Sequence, residues 1–181
     1  AEALAICLLH SYTNPLHEKE LREVLNKKRP QLAVSISSEV SPEAREFDRL
    51  STTVANAYIQ PLMKDYLERF AVGFSQDGLR CPIMIMTAGG GMCTIDTAMR
   101  FPIRLVESGP AGGAILAAQI ARRAGLDEVL SLDIGGTTAK LCLIDNGLAQ
   151  TSRQFEIARA ERFIKGSGIP VRIPVIEMIE I

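Results

Sequence analysis

Residues 133–140 read DIGGTTAK: an acid, two adjacent glycines, two threonines and a lysine, set between the apolar runs VLSL (129–132) and LCLI (141–144). Glycines lack Cβ atoms, so backbone N–H groups at Gly135 and Gly136 can come close to phosphate oxygens, and the Thr137 and Thr138 hydroxyls add donors. A carboxylate beside phosphate would repel it. Asp133 therefore fits this chemistry only through a cation such as Mg²⁺, or the cation's water shell, lying between the two. A plain tight hairpin explains the same letters, and spacing alone leaves both readings open.

Two further glycine segments bear on the choice. TAGGGM (87–92) follows the short apolar run PIMIM (82–86), and a strand that ends in glycines is where an open α/β sheet presents ligands. Gly89, Gly90 and Gly91 could line a cleft there, or simply make a turn. SGPAGG (108–113) opens a helix, whose free N–H groups at Ser108 and Gly109 would suit an anion. Close helix packing accounts for Gly109, Gly112 and Gly113 equally well. STTVANAY (51–58) places Thr52, Thr53, Asn56 and Tyr58 on a helix. Thr52 and Asn56, four apart, share one face, which meets either substrate or core. Neither GxxxxGK[ST] nor GxGxxG occurs, so the common phosphate-loop alternatives fall away. His10 and His17 stand outside any HExxH or Cys/His grouping, and Cys7, Cys81, Cys93 and Cys142 form no CxxC pair. No zinc site is implied, and buried reduced thiols in a cytoplasmic setting are expected.

The elements that must hold these residues alternate. A strand at 5–9 is followed by a helix at 18–27, with Leu21, Val24 and Leu25 on its inner face and Glu20, Arg22, Glu23 and Lys27 outside. A strand at 32–36 precedes a long helical region opened by Ser41 as N-cap and Pro42 at the first position. Pro61 predicts a kink or break near Ile59, with a second helix over 62–74. A strand at 82–86, a helix from Pro110 to Gly125, strands at 129–134 and 139–144, a turn at Asn146–Gly147 and a strand at 153–157 complete an α/β pattern. Within the 181 residues, 47% hydrophobic and 23% charged composition fits an ordinary folded domain. The formal net charge of −1 argues against a fold-wide surface for nucleic acid. No apolar run is long enough to span a membrane. Both ends are abrupt, AEALAICLLHSY and IPVRIPVIEMIEI, which suggests a piece of a larger protein.

The segments CLLHSYTNPLHEKEL (7–21), ISSEVSPEAREFDRLSTTVANAYIQP (36–61), MTAGGGM (86–92), VESGPAGGAILAA (106–118) and LDIGGTTAKLCLIDNG (132–147) together resemble the hydantoinase A/5-oxoprolinase family. DIGGTT itself resembles the strand-turn-strand phosphate motif of the wider actin, Hsp70 and sugar kinase superfamily. The resemblance implies an internal fragment of an actin-like (ribonuclease H-like) ATPase fold, a mixed sheet with flanking helices. Residues 1–127 would form the helix-rich end of the first subdomain, and 128–181 the start of the second. It further implies ATP and Mg²⁺ as cofactors, opening of cyclic amides through phosphorylation of a carbonyl or enolate oxygen, and a hydantoinase B-type partner subunit. Asp133, Gly135, Gly136 and Thr137 match the second of the superfamily's two phosphate motifs, with Thr138 beside them and Asp133 acting on the metal through water. Gly89, Gly90, Gly91, Ser108 and Gly109 match family segments that could face the cleft, and the catalytic residue remains unassigned. Lys140 stands where many members carry an acid. With RFIKGSGIPVRIPVIEM (162–178) it points to the N-methylhydantoinase or acetone carboxylase branch, where ATP activates a ketone. A non-catalytic nucleotide-binding module of the same fold is the alternative outside enzymes. The first phosphate motif and the adenosine-binding region would lie outside this chain, so the segment alone is expected to lack turnover.

Overall fold

A computed structural model describes residues 1–161, 164 and 166–181, which fall into two compact units. The first comprises Ala1–Ile83, Thr94–Ile103 and Gln154–Ile173. Its strands β1 (Ala3–Ile6) and β2 (Ala33–Ile36) run parallel, with Ile6 opposite Ile36. Parallel neighbours need a crossover, and α1 (Leu16–Lys28) supplies it. Asn14 Oδ1 accepts the Leu16 N–H at 3.1 Å, and Lys27 and Lys28 complement the negative end of the helix. The inner face of α1 differs from expectation. Leu21 and Val24 are exposed, whereas Glu18 is fully buried and Arg22 turns inward to Glu39. Periodicity locates an apolar stripe without saying which stripe a neighbour covers.

After a short helix α2 (Ser37–Val40) comes α3 (Glu46–Gln76), 31 residues long. Ser41 and Pro42 do not start it. Ser41 closes α2 and donates its hydroxyl to the Arg172 carbonyl at 3.2 Å, and α3 begins after Arg45, whose φ is 74°. Nor does Pro61 break it. The proline removes one donor, but the helix is anchored on either side, by Gln60 Nε2 on the Arg100 carbonyl (3.3 Å) and by the buried Leu67. The helix α4 (Ile95–Arg100) is capped by Thr94, whose hydroxyl accepts the Thr97 N–H. Strands β9 (Phe155–Ile157) and β10 (Ile169–Val171) pair antiparallel, so the strand expected from 153 starts two residues later.

The second unit comprises Met84–Cys93, Arg104–Arg153 and Pro174–Ile181. Strands β3 (Met84–Met86) and β4 (Met92–Thr94) pair around the glycine turn. The helix α5 (Ser108–Ala124) ends at Gly125 in the left-handed region, as its glycine predicts. Ala111, Ala114, Ala118 and Ala121 form its buried stripe, small enough for close approach to the sheet. Strands β5 (Glu128–Ile134) and β6 (Ala139–Asp145) are antiparallel along their whole length. Asn146 and Gly147, at φ 49° and 69°, turn the chain into β7 (Leu148–Ala149), which returns along β6. β12 (Ile179–Glu180) also pairs with β6, and β8 (Thr151–Ser152) pairs with β11 (Val175–Ile176). The core joins Ala111, Ala114, Cys142 and Ile176. Cys142 is thus a buried free thiol, as expected, whereas Cys7 and Cys93 are half-buried and Cys81 is exposed. No helix among the described residues is long and apolar enough to cross a membrane.

Candidate phosphate-binding site

DIGGTTAK is a hairpin, with Ile134 opposite Ala139 as the last ladder pair and residues 135–138 as its turn. The Gly135 N–H donates to the Thr138 carbonyl at 2.9 Å, so it closes the turn and is engaged there. Gly136 is different. Its backbone lies outside the left-handed region, and a Cβ built on it meets nothing within 4 Å. Neither backbone strain nor packing requires glycine there, and its bare backbone is open to close approach by another group. Asp133 is exposed at the end of β5, and its carboxylate forms no ion pair or hydrogen bond among the described residues.

The face of the hairpin is set by strand alternation. Asp133 pairs in register with Lys140 and shares a face with Ser131, Cys142 and Ile144, of which Cys142 and Ile144 are buried. Leu130, Leu132 and Ile134 lie on the opposite, exposed face. Lys140, with its side chain only 13% exposed, pairs with the carboxylate of Glu107. Glu107 is the N-cap of α5 and sits in the left-handed region at φ 61°, ψ 18°. This contact brings the start of SGPAGG to the end of DIGGTTAK. Ser108 is half-buried and Gly109 exposed. A Cβ on Gly109 or Gly113 would meet nothing within 4 Å, and one on Gly112 would make only ordinary contact with Met86 at 3.7 Å, so tight packing explains none of the three.

The TAGGGM turn has another explanation. Gly90 has φ 79°, and a Cβ there would lie 2.7 Å from Ile115 Cδ1; a Cβ on Gly89 would lie 3.2 Å from that of Pro174. Ala88 bonds through its N–H to the Arg104 carbonyl (2.7 Å) and through its carbonyl to the Ile176 N–H (2.8 Å). Gly89 and Gly90 are thus accounted for by packing and backbone angle, while Gly91 is exposed with only Thr87 Oγ1 nearby, at 3.7 Å.

STTVANAY faces the core of the first unit. Thr52 Oγ1 donates to the Asp48 carbonyl and accepts the Arg172 N–H; Asn56 Nδ2 donates to Ser35 Oγ (2.9 Å) and the Arg100 carbonyl (3.1 Å), and its Oδ1 accepts the Ile103 N–H (3.2 Å). Thr52, Thr53 and Asn56 are fully buried, whereas Val54 and Tyr58 are open to solvent. Beside them lies a network that the sequence did not disclose. Arg49, fully buried, donates to Ser37 Oγ and to the carbonyls of Glu43 and Leu8, and stacks over Tyr12 at 5.2 Å. The Glu18 carboxylate accepts from Ser37 Oγ (2.6 Å) and from the N–H groups of Leu8 and Ser38. Burial by itself raises the Glu18 carboxyl, but these hydrogen bonds outweigh it and hold it below its ordinary value. A cavity of about 420 Å³ in the same unit is lined by Arg22, Glu39, Gln60 and Arg100 and contains none of the hairpin residues. Its Glu39 is likewise held low, burial being outweighed by Arg22 and Arg100.

The described residues contain no group of three His, Cys, Asp or Glu side chains able to hold a metal ion. A single carboxylate suffices for Mg²⁺ that arrives with phosphate, since Mg²⁺ keeps several waters and takes the remaining oxygens from its substrate. Asp133 beside an open Gly136 fits a metal–phosphate complex.

The chain is a mixed α/β segment whose fold is that of part of a larger ATPase-domain chain. The profile of the hydantoinase/oxoprolinase family matches residues 49–181, and the chain belongs to that family. An uncharacterized protein of Methanocaldococcus jannaschii is 39% identical over 99% of this chain and 27% of its own length. Caprolactamase subunit alpha of Pseudomonas jessenii is 31% identical over 87% of this chain and 23% of its own. The nucleotide-free structure of an acetone carboxylase, described as ATP-dependent, superposes with a TM-score of 0.81 at 25% identity, covering 100% of this chain and 24% of that one. The chain spans about a quarter of the length of these relatives.

Proposed function

We propose that this chain carries the second phosphate-binding hairpin of an ATP-dependent enzyme that opens cyclic amides, of the hydantoinase/oxoprolinase type. The observation that carries the reading is the hairpin itself: an uncommitted Asp133 near the end of one strand and, in the turn that follows, a Gly136 whose backbone has open space where a side chain would lie. ATP supplies the phosphoryl group that activates a carbonyl oxygen of the substrate. Asp133 orients the water shell of the metal, Gly136 presents its N–H, and Thr137 and Thr138 lie beside it to position phosphate oxygens. Such a reaction depends on positioning and on neutralised charge more than on covalent work by the protein. Gly135 contributes by closing the turn. Residues 1–127 belong in this reading to the end of one actin-like subdomain and 128–181 to the start of the next. A hydantoinase B-type subunit completes the enzyme; the name of the caprolactamase relative, a subunit alpha, supports a multi-subunit assembly. The free thiols support a reducing, cytoplasmic setting.

A ketone carboxylase subunit is the second reading, favoured by the fit to the acetone carboxylase structure and by Lys140. Part of the segment 162–178 that also points there lies outside the described residues. Phosphate release by the full-length protein with hydantoin, N-methylhydantoin, 5-oxoproline, caprolactam, or acetone plus bicarbonate separates the two. Asp133→Ala should abolish ATP turnover while leaving the fold intact, because the side chain is exposed and holds no structural contact. Wild-type turnover in that variant refutes the metal role.

A further inference from the structure

We infer that Glu107 is a positioning residue: it holds Lys140 away from Asp133 and so keeps the Asp133 carboxylate available to a metal–phosphate ligand. The inference rests on the reading of Asp133 given above. Asp133 and Lys140 are directly opposed across β5 and β6 and point to the same face, and Lys140 also stands opposite Glu180 across β6 and β12. Opposite charges in such a register ordinarily pair with one another, being about 5 Å apart at Cβ. Here they do not. The Lys140 ammonium is paired with Glu107, from the N-cap of α5, and Asp133 has no partner among the described residues.

Two features mark the Glu107 contact as a built one. Its ammonium is largely withdrawn from solvent, at 13% side-chain exposure, whereas Asp133 is exposed, so the lysine has turned from the wet partner to the drier one. And Glu107 adopts a left-handed backbone conformation that a non-glycine residue disfavours, at the head of a helix where its side chain makes no capping bond. A carboxylate at a helix N-cap would ordinarily take an N–H of the first turn. Its engagement with Lys140 places a lysine in a motif position next to a metal-binding acid without neutralising that acid.

Glu107→Gln removes the charge that restrains Lys140, whose remaining cross-strand carboxylates are Asp133 and Glu180; on turning to Asp133 it competes with the metal. Titration of the full-length protein with ADP, at saturating Mg²⁺ and again in EDTA, reads this directly. The expected result is a loss of about fivefold in Mg²⁺-dependent ADP affinity for Glu107→Gln, the size of one exposed cross-strand ion pair, with no change in EDTA. Glu107→Gln combined with Lys140→Met should return to within about twofold of wild type, because the competing ammonium is gone. A purely structural strut predicts the reverse: the double variant also lacks the ion pair and stays weak. Lys140→Met alone should keep Mg²⁺-dependent binding. If it loses that binding, Lys140 touches phosphate itself and the inference is wrong, as it is if the double variant is no better than Glu107→Gln. Lys140→Met also decides the matter should Glu107→Gln fail to fold. Absence of Mg²⁺-dependent ADP binding in the wild type, or its insensitivity to Asp133→Ala, overturns the phosphate reading and this inference with it, and is distinct from failure of the rescue alone.

Discussion

Asn56→Ala tests whether the STTVANAY segment is a core device or a substrate-facing one. Asn56 is fully buried and satisfies three groups: Ser35 Oγ, the Arg100 carbonyl and the Ile103 N–H. Truncation does not orphan all three. Ser35 Oγ keeps its bond to Gln60 Oε1 (3.0 Å), and the Arg100 carbonyl keeps Gln60 Nε2 (3.3 Å). The Ile103 N–H keeps nothing, in a residue only 1% exposed. One stranded buried donor costs about 1–3 kcal/mol, and two forfeited bonds with surviving partners about 0.5–1.5 kcal/mol each. The void left by the amide adds to this, so the total is about 3–5 kcal/mol, a large share of a typical domain's stability. Urea denaturation of the chain, followed by helical circular dichroism, should show a lower midpoint with an unchanged slope. Tyr58→Ala, two residues on and 84% exposed, is the control and should stay within about 0.5 kcal/mol of wild type. A cost below about 1 kcal/mol for Asn56→Ala, or equal costs for both variants, refutes the assignment of this face to the core.

Glu18 gives a prediction in pH. Its carboxyl is held below its ordinary value in the folded protein, so its stabilisation is complete above the unfolded-state value of about 4.3 and is lost as pH falls through the lower folded value. The urea midpoint of Glu18→Gln should lie well below wild type at neutral pH, and the gap should narrow on acidification; a gap constant with pH contradicts the hydrogen-bond account. Glu39 shifts in the same direction, but it is present in both proteins and cancels in the comparison. The glycines give a further contrast. Gly90→Ala should destabilise the second unit by about 1–3 kcal/mol through backbone strain and collision with Ile115. Gly136→Ala should leave the urea midpoint unchanged and weaken nucleotide binding, and normal nucleotide affinity in that variant would favour a plain hairpin.

Much of the second unit was legible in the sequence because its signals are local. Asn146–Gly147 and Gly125 mark positive backbone angles, and the alternation around DIGGTTAK sets a hairpin in register. What the sequence concealed depends on contacts between distant residues. The continuity of α3 through Pro61 rests on Gln60 and Leu67, and Ser41 fails to open the helix because Arg172 holds it. Glu18, on a helix face that looks polar and solvated, is buried because Ser37, Leu8 and Ser38 converge on it from elsewhere in the chain. No period in the sequence reports such convergence.

The candidate site shows the same division, and it bears on how glycine motifs are weighed. TAGGGM, SGPAGG and DIGGTT look alike as letters, and each could have held an anion. In the structure Gly90 is required by its backbone angle and by Ile115, and Gly89 packs tightly on Pro174, so that turn has an explanation without a ligand. Gly136 is required by neither, and three residues before it stands an acid whose cross-strand neighbour, Lys140, pairs with Glu107. A glycine unexplained from inside the fold is the stronger pointer to something outside it. By that criterion Gly136, together with Gly109 and Gly113, ranks above Gly89 and Gly90, and Glu107, which carried no assigned role in its motif, gains a proposed one. The sequence contained its signal, an acid immediately before a helix start and a lone lysine in an apolar strand, but only the folded chain pairs the two.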